Sequence, residues 1–264
     1  MPFDLGAYLA RIGLDRIRPG IAGLAAMQQA QLRAVTFENF DPLLGRVPLL
    51  GVENIFAKVV ERGRGGYCFE LNSLFKAALE AAGFAPRRML ARVRMRGGEQ
   101  APRSHLILRV EADGQESLAD AGFGGPGSLV PLDLAVREPQ QAPNGTYRFI
   151  DTPASGEVVL ERLDGGEWLQ LYGFDTAYVT DGEVAAAHHL CATWSDAPFS
   201  SHLLLNAYRG DTRYGLFDRM LTVERTDGSE TCEIAGFEEF AELIGRVGPK
   251  LDIDDLVAAW ERLA

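Results

Sequence analysis

The chain reads as an α+β protein on three observations. Its first third places apolar residues at helical spacing, its middle alternates with period two between turn dipeptides, and its last third mixes both patterns. Helices, then strands, then mixed elements argue for segregated α and β regions over a doubly wound parallel sheet. The 264 residues, 47% hydrophobic and 24% charged, supply ample apolar material for a core and exclude a disordered or disulfide-stapled chain. At this length one core is near its practical limit, so two or three subdomains are expected.

Leu5, Tyr8, Leu9 and Ile12 recur at helical spacing, Pro19 opens a second helix running to about Val35, and residues 52–60 form a third with Ile55, Phe56 and Val59 on one side. The glycine-rich turn Arg62-Gly63-Arg64-Gly65-Gly66-Tyr67 then feeds the strongest helix. In it Leu71, Leu74, Phe75, Ala78, Leu79 and Ala82 make one apolar stripe that Gly83 ends. From Pro86 the period changes. Residues 89–95, 104–111 and 117–122 read as strands, the last two joined by the hairpin signal Asp113-Gly114. Further strands are expected at 146–150, 157–163 and 168–172, the last two flanking Asp164-Gly165-Gly166. A helix is expected at 181–194, a hairpin of strands 216–226 and 229–234 around Asp227-Gly228, and two closing helices over 237–264.

Acidic groups exceed basic ones to give a net charge of −11, a field that repels nucleic acid and anionic membranes. An anionic ligand must therefore be met locally, by backbone N–H groups or a few placed arginines. Cys68, Cys191 and Cys232 are odd in number and widely spaced, which fits neither a disulfide framework nor a C-x-x-C site. No metal-binding motif, secretory apolar segment or bilayer-length apolar run is present, so a cytoplasmic protein without a metal ion is expected.

Cys68 opens the strongest helix directly after Gly65-Gly66, on its buried stripe. A thiol there meets the positive end of the helix dipole, which predicts a lowered pKa and a nucleophilic thiolate. The bland alternative is a small buried hydrophobe, and it is the reading kept for Cys191 and Cys232. A thiolate nucleophile needs a base. If Asp113-Gly114 is a two-residue turn, Ala112 opposes Gln115, Ile107 opposes Asp120 and His105 opposes Gly122. His105 and Asp120 are then diagonal neighbours on one face, roughly 7–8 Å apart at the backbone. A one-residue slip would send them to opposite faces. His188, His189 and His202 lack an acidic residue at a comparable cross-strand position and read as surface or packing residues. The loop Gly122-Phe123-Gly124-Gly125-Pro126-Gly127 follows the aspartate and lets backbone N–H groups approach an anion.

At Arg64-Gly65-Gly66-Tyr67-Cys68-Phe69-Glu70-Leu71-Asn72 the chain resembles the arylamine N-acetyltransferase family, whose nucleophile motif is R-G-G-Y-C-F-E-x-N. Tyr8-Leu9-Ala10-Arg11-Ile12-Gly13, Phe37-Glu38-Asn39-Phe40, Ser104-His105-Leu106 and Asp120-Ala121-Gly122-Phe123-Gly124 support the likeness, which covers nearly the whole length. The resemblance implies a cysteine-protease-like core: a helical subdomain (1–84) carrying Cys68, an antiparallel β-barrel (85–180) carrying His105 and Asp120, and a C-terminal α/β lid (181–264). It implies transfer of an acetyl group from acetyl-CoA, through acetyl-Cys68, to an aromatic amine or hydrazine, with no permanently bound cofactor. Val93, Phe123, Gly124 and Gly125 would line the substrate and CoA pocket, and an Arg64–Glu38 ion pair would support the site. A homo-oligomer is left open. Over Asp196-Ala197-Pro198-Phe199-Ser200-Ser201-His202-Leu203 the likeness is loose, and His202 falls near where the resemblance implies an aromatic acceptor contact, which leaves acceptor preference open. The residues alone leave three other readings: a transglutaminase- or papain-like hydrolase with the same triad, an amide synthase of the same fold, and a non-catalytic binding module.

Overall fold

The computed structural model describes residues 3–263. α1 (Leu5–Ile12) is capped by the Asp4 carboxylate, which accepts the Ala7 N–H at 2.9 Å. α2 (Ile21–Ala34) is capped from a distance, Asp113 accepting the Ile21 N–H at 2.9 Å. The short strand β1 (Phe37–Glu38), one-turn α3 (Phe40–Leu43) and α4 (Val52–Phe56) follow, α4 running into a π-helical turn at Ala57–Glu61. α5 (Cys68–Ala81) is the expected strong helix. Tyr8, Leu24, Met27, Leu74, Phe75 and Leu79 bury one face of α1, α2 and α5 together.

Next come β2 (Arg87–Val93), a helical turn α6 (Arg94–Gly97), β3 (Arg103–Ala112), β4 (Gln115–Ala119), β5 (Leu132–Asp133), β6 (Gln140–Ala142), β7 (Gly145–Thr152), β8 (Glu157–Asp164) and β9 (Glu167–Phe174). These eight strands form one antiparallel sheet in the order β5-β4-β3-β2-β9-β8-β7-β6, curled into a nearly closed barrel. Its two edges meet at Gln140, whose side-chain amide accepts the Asp133 N–H at 2.9 Å and donates to the Asp133 carbonyl at 3.0 Å. β3 divides two cores. Leu106, Leu108 and Val110 face the helices, while Ile107 joins Met89, Phe149, Leu160 and Phe174 inside the barrel.

α7 (Asp181–Thr193) crosses to a second antiparallel sheet, where β10 (Leu204–Arg209), β11 (Thr212–Phe217), β12 (Met220–Arg225) and β13 (Gly228–Glu233) extend β1 in that order. α8 (Phe237–Val247) and α9 (Ile253–Leu263) cover it, sharing a third core with Phe40 and Leu43. The fold class is therefore α+β, as expected. Several local expectations change. Residues 216–226 are two strands, broken where Asp218 takes φ +52°, and the next turn sits at Thr226-Asp227 with Gly228 already paired to Arg225. The strand expected at 89–95 stops at Val93, where the chain turns helical. That expected at 117–122 stops at Ala119, because the Asp120 N–H leaves the ladder for the Gln28 side chain at 3.1 Å. Among the described residues no helix is long and apolar enough to cross a membrane.

The start of α5 is held by charges inside the protein. Lys58, 7% exposed, donates to Asp41 at 2.6 Å and to Glu70 at 2.8 Å, and Glu70 in turn accepts the Tyr67 N–H at 3.2 Å. Lys58→Met should lower unfolding free energy by about 3–5 kcal/mol, the cost of stranding buried carboxylates. Urea denaturation checks this, and K58M/E70Q should recover part of the loss.

Candidate active site

Cys68 is the first residue of α5, and the two glycines before it are dictated by contact. A Cβ on Gly65 would lie 2.1 Å from the Thr36 carbonyl oxygen, while the Gly66 carbonyl accepts the Glu38 N–H at 2.9 Å. Gly65-Gly66 thus lies flush against β1 and delivers the thiol to the seam between helices and barrel. There Cys68 is 2% exposed, with its sulfur 3.7 Å from the Ser104 carbonyl oxygen. Cys191 from α7 donates to the same oxygen at 3.4 Å, a proximity that sequence spacing could not foresee.

The β3–β4 register is the one set by a two-residue Asp113-Gly114 turn, both residues taking positive φ, +53° and +78°. Although pairing ends at Ala119, the chain continues far enough to bring Asp120 to His105, Nε2 to Oδ2 at 2.7 Å. Asn72, one helical turn after Cys68, donates to Asp120 Oδ1 at 2.8 Å and to the Leu106 carbonyl at 2.6 Å, and it accepts the Ala121 N–H at 2.9 Å. The Gly122 N–H at 3.0 Å and the Tyr172 hydroxyl at 3.0 Å complete the cradle. Asn72 lay inside the nucleophile motif at i+4 from the thiol, a signal that was readable; Tyr172, on β9, carried none.

Burial would raise the Asp120 pKa, but the charge and hydrogen bond of His105, with Asn72 and the Gly122 N–H, hold it below the usual carboxylate range. Burial would likewise lower His105, yet Asp120 outweighs it and pushes the imidazole up to about 10. With Nε2 occupied by Asp120, Nδ1 is left for the thiol. Burial pushes the Cys68 thiol up, against the lowering expected at a helix N-terminus, and the hydrogen bond and charge of His105 oppose that rise.

Cys68 and His105 open onto a cavity of about 1280 Å³ that lies between the barrel and the second sheet. Val93, Phe123, Gly124 and Gly125 all line it. A Cβ on Gly124 would meet the Phe37 ring at 2.5 Å, so only glycine lets β1 close this wall. Phe123 packs on the His105 ring, centroids 5.1 Å apart. Arg64 and Glu38 form an ion pair at 2.9 Å behind the glycine turn and do not line the cavity. Arg162 and Arg213, both bonded to Glu224, line the cavity wall formed by β8, β11 and β12. Of the other histidines, His188 is buried with its ring nitrogens on the Tyr67 hydroxyl and the Pro48 carbonyl. His202 lines the cavity, as its place near the expected acceptor contact implies, and departs from expectation in having an acidic partner, Nδ1 lying 2.7 Å from Asp218 Oδ2. That partner was hidden because residues 216–226 read as one strand. Among the described residues no group of three or more His, Cys, Asp and Glu side chains is placed to hold a metal ion.

Because the folded pKa of His105 lies above its ordinary value near 6.5, its protonation stabilises the fold fully below roughly pH 6.5, and that contribution is lost as pH rises through about 10. Asp120→Asn removes the cause. The stability gap between wild type and variant should shrink by at least about 1 kcal/mol, less than one pKa unit's worth, from pH 6.5 to pH 10. Paired urea titrations at both pH values check it, and a constant gap would refute it.

The same arrangement of helices, barrel and second sheet recurs in known proteins. A family model described as N-acetyltransferase matches residues 20–249. The arylamine N-acetyltransferase of Mycolicibacterium smegmatis is 35% identical over 262 residues, covering 96% of this chain and 93% of the relative. A solved structure of the M. smegmatis arylamine N-acetyltransferase superposes with a TM-score of 0.90 at 34% identity, over 99% of this chain and 98% of the other. The Mycobacterium marinum arylamine N-acetyltransferase in complex with CoA gives 0.91 at 29% identity, over 98% of both chains. With sequence and fold agreeing over almost its full length, the chain belongs to the arylamine N-acetyltransferase family and is an acyltransferase.

Proposed function

We propose that the chain carries an acetyl group from acetyl-CoA to the nitrogen of an arylamine or arylhydrazine by a ping-pong route, with Cys68 as nucleophile, His105 as acid and base, and Asp120 as the group that orients and charges His105. The observation that carries this reading is the shared opening of the Cys68 sulfur and the His105 ring onto one cavity, with Asp120 2.7 Å behind the imidazole.

His105 already carries its proton, so Cys68 gives its own up to solvent and, as the thiolate partner of the imidazolium, attacks the thioester carbonyl of acetyl-CoA. The backbone N–H of Cys68, first in its helix and without an intrahelical acceptor, faces the oxyanion that forms. The carbon–sulfur bond to CoA breaks, and the CoA thiolate leaves with the proton from His105. The amine nitrogen then attacks acetyl-Cys68 and gives its proton to the neutral imidazole. Expulsion of the Cys68 thiolate restores the starting pair. Asp120, already charged and desolvated, stabilises the imidazolium at each step without itself accepting the proton.

The cavity exceeds the roughly 300–1,000 Å³ of a site for one drug-sized ligand, which suits two substrates that enter in turn. Val93 and Phe123 supply an apolar wall for an aromatic ring. In a chain of net charge −11, Gly124 and Gly125 supply an exposed backbone for the polyanionic donor.

Intact mass after incubation with acetyl-CoA alone tests the reading. A stable gain of about 42 Da, one acetyl in place of one hydrogen, is expected in wild type and absent in Cys68→Ser. A wild type that stays unmodified yet releases CoA once amine is added would replace the covalent route by direct transfer.

A further inference from the structure

His202, which lines the cavity, belongs to a second histidine–carboxylate pair that the proposed acetyl transfer does not use. His202 Nδ1 lies 2.7 Å from Asp218 Oδ2, and the side chains are 46% and 28% exposed. The pair is rigidly mounted. Asn39 donates to the carbonyls of Phe199 and His202, each at 2.8 Å, and accepts the Leu204 N–H at 2.7 Å. Asp218 Oδ1 accepts the Leu203 N–H at 2.9 Å, and the Phe217 ring backs the imidazole at 4.9 Å with 31° between planes. Because a carboxylate only accepts, Nδ1 carries the proton that it receives. In the neutral ring Nε2 then presents a lone pair, and among the described residues this nitrogen has no hydrogen-bond partner while the residue lines the cavity.

Resting on the acetyl-transfer reading above, we propose that His202 selects the acceptor: Nε2 accepts a hydrogen bond from a second donor on the arylamine ring, a hydroxyl or a further amino group, and so favours aminophenols over arylamines without that donor. The surroundings fit such a ligand. Phe37, Phe199 and Phe123 give the ring apolar walls, the Phe37 and Phe199 centroids being 6.2 Å apart, and His202 sits on the same clamped loop as Phe199. Leaving the lone pair beside a methyl ether forfeits that bond, which is what a hydrogen-bonding site uses to discriminate.

The test starts from enzyme already acetylated with acetyl-CoA and reads only the second half-reaction. The 2-, 3- and 4-aminophenols are compared with the corresponding methoxyanilines in single turnovers. Wild type should prefer the hydroxyl form of at least one isomer by about five- to tenfold in apparent affinity, the worth of one neutral hydrogen bond. His202→Phe should abolish the preference. Asp218→Asn gives a second test: the Leu203 N–H keeps the amide oxygen, the NH₂ faces Nδ1, and the ring proton moves to Nε2, where a hydroxyl and a methoxy oxygen can both accept it, so the hydroxyl preference should be lost. A hydroxyl-to-methoxy ratio that neither variant moves would overturn the proposal. So would a His202→Phe effect confined to the acetyl-CoA dependence of acetyl-enzyme formation, which would place His202 on the donor. Failure of wild type to form any acetyl-enzyme would instead remove the reading beneath it.

Discussion

Asp120 is the joint on which the site depends. It is a carboxylate 7% exposed, and an ionised group in that position persists only if its lone pairs are filled. Four donors fill them, and they come from different parts of the fold: Asn72 from α5, His105 from β3, Tyr172 from β9, and the Gly122 N–H from the loop that follows. The Asp120 N–H is held by Gln28 from α2. Helical layer and barrel are therefore fastened together at the residue that charges the imidazole. A shift of either body would strand a buried charge, so the geometry around Cys68 is protected by the same interactions that hold the two layers in register.

The cavity follows from a second constraint, the splitting of the N-terminal third between two neighbours. Its helices pack on the barrel, but β1 pairs with β10, and Phe40 and Leu43 enter the core under α8. The chain between α2 and α5 is thus part of both walls of the cleft. Gly65 and Gly66 let it lie against the start of α5, and Gly124 lets the Phe37 ring close against the barrel loop. Ion pairs hold this seam, with the buried Lys58, Glu38 and Glu70 joined to the half-buried Arg64 and Asp41.

Register is the part of the site most legible in sequence. Asp113-Gly114 specifies a turn whose two residues take positive φ, and with side chains alternating at period two the turn alone decides that His105 and Asp120 share a face. The helix that Cys68 opens is equally readable, because its apolar stripe and glycine lead-in are local. What stayed hidden depends on partners far along the chain. The turn at Asp218-Arg219 has no glycine, so two strands read as one and the partner of His202 went unseen. Tyr172 and Gln28 reach Asp120 only after the barrel closes and packs. The thiol pKa was misjudged for a related reason: a helix terminus is visible in sequence, whereas the depth to which tertiary packing buries it is not.

Two histidine–carboxylate pairs at nearly the same separation, 2.7 Å, therefore occupy one cleft in different surroundings. Attraction between charges grows as water is excluded, so the buried His105–Asp120 pair can hold a proton against desolvation and return it during chemistry. The half-exposed His202–Asp218 pair is screened by solvent, and its strength lies in direction: the carboxylate fixes which ring nitrogen carries hydrogen and where the other points. Exchanging the two environments would spoil both. A buried His202–Asp218 pair would meet any ligand only after a costly desolvation, and an exposed His105–Asp120 pair would lose the attraction that stabilises imidazolium. On the proposed reading, placing one pair at the barrel seam and the other on the clamped loop would separate proton transfer from recognition within a single cavity.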